Sequence, residues 1–279
     1  MVLSYIQAEP IIQAIKSGES QVETSLDLNL SRTTINIVWQ GVVLPDGQKL
    51  NLKQLEKIVK KDNKCFLIQD NEIIPIQEFS ETTEWMRTLY PTESAPTTLV
   101  SGIHMHRIKD VTPWEHARLM VKALGFMDGK KVLDTATGLG YTAIQAAQRA
   151  DHVITVEIDP SAIEIAKLNP WSQKLFDNPK IILIVGNFLE EIEKFDEGEY
   201  ELIIHDPPTF KLSGELYSRE FYQQLNRVLK RGGKLFHYIG DPESEIGSMV
   251  TKGVVQRLKN AGFSKIEKIP QAFGLVAGK

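Results

Sequence analysis

From residue 131 onward, short apolar runs alternate with amphipathic stretches, a rhythm that few folds accept. Runs at 131–134, 152–157, 181–185, 201–205 and 234–239 read as strands. The intervening stretches at 142–150, 160–168, 189–193, 219–229 and 247–261 read as helices. These strands are too apolar to have one wet face, so they belong in a parallel sheet covered on both sides. The end departs from this rhythm. Strands at 263–269 and 275–277, separated by a short turn at 270–274, can be joined only as an antiparallel hairpin. The expectation is an α/β domain with a doubly wound sheet of seven strands ending in that hairpin.

The chain has 279 residues, enough for such a domain and a smaller appendage. Residues 1–11 have a helical pattern, and Val22, 25–30 and 35–39 alternate like strands. Leu44-Pro45-Asp46-Gly47 is a turn, and Leu52, Leu55, Ile58 and Val59 mark a short amphipathic helix. With strands at 65–69 and 73–77, the stretch 21–79 reads as a small α+β module of four or five strands and one helix. Pro91, Ser94 and Pro96 lie in a loop-like linker, so the modules are set at 1–95 and 96–279. Strands around Leu99 and His104 fit either module. Thr112-Pro113-Trp114-Glu115 is a capping box that starts a helix running to about Leu124.

Composition narrows the class. Hydrophobic residues at 42% and charged residues at 24% exclude a disordered or coiled-coil chain. No apolar run approaches the ~20 residues of a bilayer span, and residues 1–10 lack the basic and apolar regions of a targeting peptide. The single cysteine, Cys65, cannot form an internal disulfide or a cysteine-rich zinc site, and the expected compartment is the cytoplasm. Net charge is −4, with 9 basic and 13 acidic residues up to Val100 and 23 of each afterwards, so charge does not advertise a nucleic-acid partner. The sequence leaves the oligomeric state open.

Val132-Leu133-Asp134-Thr135-Ala136-Thr137-Gly138-Leu139-Gly140 leaves a buried strand and enters a helix, where backbone N–H groups and the helix dipole receive ligands. Gly138-x-Gly140-x-x-Ala143 fits the dinucleotide fingerprint, and Glu157 lies at the spacing of a ribose-binding acid, so a NAD enzyme competes at this point. Asp134 argues against a pyrophosphate, which it would repel, and the terminal hairpin is foreign to an all-parallel dinucleotide sheet.

This stretch resembles the class I S-adenosylmethionine-dependent methyltransferases, whose first motif reads hydrophobic, hydrophobic, acid, x, Gly, x, Gly, x, Gly; here Ala136 replaces the first glycine. The resemblance covers roughly residues 112–279 and implies a Rossmann-like sheet that binds S-adenosylmethionine. It implies that Asp134, Thr135, Thr137, Gly138 and Gly140 form the loop around the methionine part. Glu157 would hold the ribose hydroxyls, Ile158 would pack on adenine, and Asn187 and Phe188 would stand at the adenine edge. Asp159-Pro160 reads separately as an N-cap and first helical residue.

Ile203-Ile204-His205-Asp206-Pro207-Pro208-Thr209-Phe210 carries the chemistry. A carboxylate followed by two prolines at a strand's C-terminal end makes a rigid corner, and its acceptors suit an amine. The run resembles the Asp/Asn-Pro-Pro-aromatic motif of methyltransferases that modify nitrogens, with Phe210 one place later than usual. Together with Gly214 to Ser218 it is similar to a group of archaeal-type predicted methyltransferases with a His-Asp-Pro-Pro motif. The implied catalytic residues are Asp206, Pro207, Pro208 and Phe210, with an unidentified acceptor in RNA, protein or a small molecule. An aminopropyltransferase of the polyamine type, using decarboxylated S-adenosylmethionine, and a non-catalytic cofactor-binding scaffold are the alternatives.

Other residues carry weaker signals. Cys65 lies on a strand of the other module, which excludes cysteine-dependent methylation of pyrimidine carbon. His205, His237 and Tyr238 sit at strand ends as a proton relay or as plain wall residues. His104 and His106 share a strand face without a third ligand, and no metal is expected. Lys53, Lys57, Lys60, Lys61 and Lys64 read as the solvated face of a short helix.

Overall fold

The computed structural model describes residues 1–208, 213–241 and 244–279, the side chains of 245 and 246 aside. The chain divides into two compact units: Met1–Trp114 with Ser161–Gln173, and Glu115–Pro160 with Lys174–Lys279.

In the first unit a helix over Tyr5–Lys16 begins in a capping box, Ser4 and Gln7 satisfying each other's end of the first turn. The helix therefore starts at Tyr5, not at residue 1, because Val2–Leu3 pairs as a strand with Phe66–Gln69. Residues 25–30 alternate in polarity but do not form a strand. Leu28 and Asn29 have positive φ, and the Ser25 and Asp27 side chains capture nearby backbone N–H groups to close a turn. Residues 21–79 hold seven strands, not four or five, because several are only three or four residues long. Thr97–Val100 and Ile103–His104, open to either module in the sequence, pair with each other, and Thr97–Val100 also pairs with Met86–Tyr90. Leu55 and Ile58 of the Leu52–Val59 helix are fully buried in this unit's core, leaving its lysines on the other side.

The second unit is built on a seven-stranded sheet: β1 (Lys131–Asp134), β2 (His152–Glu157), β3 (Ile181–Val185), β4 (Tyr200–His205), β5 (Leu229–Tyr238), β6 (Ser264–Ile269) and β7 (Gly274–Gly278). Its order is β3-β2-β1-β4-β5-β7-β6, with β1 to β5 parallel and β7 antiparallel to both β5 and β6. The expected Rossmann-like α/β sheet with an antiparallel end is therefore present. Val132, Val153 and Leu202 share a register row on one face, and Leu133, Ile203, Leu235 and Ala277 share one on the other. All seven are buried, which accounts for strands apolar throughout.

Along this part of the chain the helices are α1 (Pro113–Ala123), α2 (Tyr141–Ala147), α3 (Pro160–Leu168), α4 (Gln173–Asp177), α5 (Phe188–Glu191), α6 (Arg219–Val228) and α7 (Glu245–Asn260), of which α3 from Ser161 onward belongs to the first unit. Phe221, Tyr222 and Leu225 of α6 and Val254 and Leu258 of α7 fill the core with Leu133, Ile203 and Leu235. The short helical stretch from Pro170 to Asp177 is absent from the sequence reading. Asn169 caps it from in front of Pro170, a start signal visible in the sequence. No helix among the described residues is long and apolar enough to cross a membrane.

Candidate active site

The site residues gather at the C-terminal ends of β1, β2, β3 and β4, where a parallel sheet opens a crevice. Asp134 ends β1 and is fully buried. Its Oδ2 accepts hydrogen bonds from the Thr142 hydroxyl at 2.9 Å and the Thr155 hydroxyl at 3.0 Å, while Oδ1 has no partner. Burial is the main reason its pKa rises to about 7; the Glu157 charge adds to the rise and the threonine hydroxyls oppose it.

The loop after β1 is tied to both neighbouring strands. Thr135 N–H donates to the Ile204 carbonyl at 3.0 Å, and Thr137 N–H donates to the Val156 carbonyl at 3.0 Å. Both side chains turn inward, the Thr137 hydroxyl meeting that of Thr155 at 2.7 Å and the Thr135 hydroxyl meeting His205 Nδ1 at 2.7 Å. The two glycines then divide the work. Gly138 has φ +52°, and a Cβ there would meet nothing within 4 Å, so its missing side chain leaves open space on the loop. Gly140, at φ +76°, is packed against Leu175 of α4, whose carbons would lie 2.7–3.1 Å from a Cβ. A side chain at the first glycine would face open space, and at the second it would meet a core leucine.

Glu157, at the end of β2, bridges the loops. Its Oε2 accepts from Gly138 N–H at 2.8 Å and its Oε1 from Asp159 N–H at 3.0 Å. The next side chain, Ile158, is 47% exposed, an apolar surface beside an acid. Asn187 caps α5 through its Oδ1, which accepts from Leu189 N–H at 3.1 Å. Phe188 differs from its expected place: its ring is buried and meets Phe221 at 5.6 Å between centroids, so only its backbone stays near the crevice.

Asp206 follows β4 directly. Asp134 is in register with Ile204, which sets Asp206 two residues past that pairing, and the Asp134 charge is felt at Asp206. Although the residue keeps some solvent exposure, desolvation of the carboxyl, followed by Asp134, raises its pKa to about 8. Neither acid is in an ion pair among the described residues. Phe210 lies outside the described residues.

Groups that sequence reading did not single out for this task hold the corner. His205 is fully buried, and burial lowers its pKa to about 4, so the ring is neutral at pH 7. Its Nε2–H donates to the Leu216 carbonyl at 2.9 Å, and Nδ1 accepts from Thr135. The Tyr217 hydroxyl donates to the Pro208 carbonyl at 3.1 Å. The His237 ring lies 4.4 Å from that of His205 and bonds the Tyr222 hydroxyl through Nε2 at 2.8 Å. The two histidines thus act as buried braces, with both His205 nitrogens committed to structure. Tyr238 faces His116 instead, at 5.2 Å between ring centroids.

The chain matches the methyltransferase small domain family over residues 114–243. It is 37% identical to the Methanocaldococcus jannaschii protein MJ1233, described as uncharacterized, across 100% of this chain and 96% of that protein. It is 32% identical to the polyamine aminopropyltransferase of Sulfurisphaera tokodaii, but over only 48% of this chain and 47% of that relative. A spermidine synthase solved in complex with the transition-state analogue AdoDATO shares the fold, with TM-score 0.60 and 23% identity over 72% of each chain. The chain therefore belongs to the family of the M. jannaschii protein MJ1233.

Proposed function

We propose that the chain is an S-adenosylmethionine-dependent methyltransferase acting on a nitrogen acceptor. The observation that carries this reading is the buried, unpartnered Oδ1 of Asp134, at the end of the strand next to the one that leads to Asp206. Two acids with no ion-pair partner among the described residues suit a cationic donor and a nitrogen that becomes positive. They oppose the pyrophosphate of NAD. Glu157 would hold the ribose, Ile158 one face of the adenine, and the Asp134 Oδ1 the cationic methionine part.

When bound, the donor supplies an electrophilic methyl on a sulfonium. Asp206 and the Pro207 carbonyl would accept the hydrogens of the acceptor nitrogen and orient its lone pair. Because Tyr217 already occupies the Pro208 carbonyl, those two acceptors are the ones left to the substrate. The bracing by His205 and Tyr217 favours catalysis by positioning, since the corner need not reorganise during transfer.

Aminopropyl transfer is the second reading, favoured by the Sulfurisphaera tokodaii relative and the spermidine synthase fold. Calorimetric titration with S-adenosylmethionine, its decarboxylated form, S-adenosylhomocysteine and NAD separates the two. Preference for S-adenosylmethionine and S-adenosylhomocysteine supports methyl transfer. Preference for the decarboxylated form moves the assignment to aminopropyl transfer, and no binding by any of the four overturns the cofactor pocket itself.

A further inference from the structure

We propose that Asp134 and Asp206 form a charge-sensing pair that distinguishes the cationic sulfonium donor from its neutral demethylated product by giving up a proton to bind the donor. The inference rests on the donor reading above and adds to it how substrate and product are told apart.

Geometry sets the pair apart from ordinary surface acids. Asp134 ends β1 and Asp206 follows the adjacent parallel β4, and Asp134 is fully buried with Oδ2 fixed by two threonine hydroxyls and Oδ1 unpartnered. Among the described residues the groups acting on them are Glu157, which adds negative charge, the neutral hydroxyls of Thr142 and Thr155 and the backbone N–H of Ala136, which favour the ionised form of Asp134, and Tyr217 beside Asp206. His205, on the strand leading to Asp206, is neutral and engaged elsewhere. No cation among these groups compensates either carboxyl. The described residues also offer no cluster of metal-ligating groups to bring one in as an ion.

Such a pair holds a proton near neutral pH, as the upward shifts of both acids agree, and titrates as a unit. A sulfonium placed against it supplies the missing positive charge and expels the proton to solvent. Transfer then forms an N–CH3 bond and breaks the S–CH3 bond, whose electron pair stays on sulfur and makes it neutral. The acceptor nitrogen becomes positive and passes one proton to the carboxylate, which restores the protonated pair. The product thioether then faces a pair that no longer attracts it through charge, which favours release.

The test is isothermal titration calorimetry of the full chain at pH 7 in phosphate and in Tris, whose ionisation enthalpies differ. The probes are S-adenosylmethionine, S-adenosylhomocysteine and sinefungin, which carries an amine where the donor carries its sulfonium methyl. The expected result is about one more proton released by S-adenosylmethionine and sinefungin than by S-adenosylhomocysteine. Donor affinity should rise about tenfold more than product affinity between pH 6 and pH 7. Asp206→Asn is expected to remove the extra proton, with S-adenosylhomocysteine binding by the same variant reporting a folded pocket. Equal proton counts for the three probes in the unaltered protein overturn the charge-sensing pair alone. Failure of all three to bind overturns the donor reading and the pair with it.

Discussion

Replacing Asp134 by Asn separates the charge of this carboxyl from its shape. In the protein without ligand, burial holds Asp134 near pKa 7 against an ordinary value of 3.8. Below pH 4 the folded and unfolded states both carry the proton, and ionisation costs nothing. Between pH 4 and pH 7 the unfolded chain ionises while the folded site stays protonated. Each pH unit therefore costs about 1.4 kcal/mol of stability, for a total of about 4 kcal/mol by pH 7, with no further loss above it. Asparagine keeps the size and can still accept from Thr142 and Thr155 through its oxygen, but it has no charge to bury. We expect Asp134→Asn to exceed the native protein by about 1–2 kcal/mol at pH 5 and by about 4 kcal/mol at pH 9. Urea denaturation without ligand, followed by far-ultraviolet circular dichroism at both pH values, measures the difference. A difference that does not change with pH refutes the argument that Asp134 is an uncompensated buried acid. The gain should come with weaker binding of S-adenosylmethionine, an example of stability exchanged for function.

Glu157→Gln is expected to weaken S-adenosylmethionine binding by about 1.5–3 kcal/mol through lost charge-assisted contacts, and unchanged calorimetric affinity would remove Glu157 from the ribose site. Gly140→Ala should cost about 2 kcal/mol or more in urea denaturation, since it adds left-handed strain to a clash with Leu175. Gly138→Ala should cost only the strain, about 1–2 kcal/mol, but lower donor affinity; equal stability losses for the two variants would contradict the division of roles. Tyr217→Phe removes the bond to the Pro208 carbonyl, and we expect a loss of about 1 kcal/mol. Donor affinity should stay within twofold, and a larger drop would place Tyr217 in the donor pocket.

Much of the second unit is legible because its local signals agree with one another. Apolar strands buried on both faces, Pro160 at a helix start and glycines at a βα turn all point to one sheet. The same agreement put Asp134, Gly138, Glu157 and Asp206 at one end of it. What sequence pattern missed depends on contacts between distant segments. Nothing in the spacing marks Thr142 and Thr155 as the clamp on Asp134, or His205 as the link between Thr135 and Leu216. Phe188 sits beside an expected adenine edge, yet core space next to Phe221 takes its ring. Nothing in the spacing shows that Gly140 also makes room for Leu175, which lies on a helix the pattern did not reveal. In the first unit, strands of two to four residues are too short for alternation to register, and residues 25–30 imitate a strand while their side chains build a turn.

The sheet order places β7 between β5 and β6, although both are made before it. In a growing chain β5 is complete at Tyr238, and its outer edge has no neighbour until Gly274 begins β7. At ~5–20 residues per second, synthesis of the intervening ~36 residues leaves that edge uncovered for roughly 2–7 s. During that interval β6 has no strand to join, because the strand that will carry it does not yet exist. An open strand with Leu235 and Phe236 on it is a template for pairing with another nascent chain. That edge stays open to pairing with another chain until β7 is in place, and slower completion of the stretch between them would lengthen the exposure.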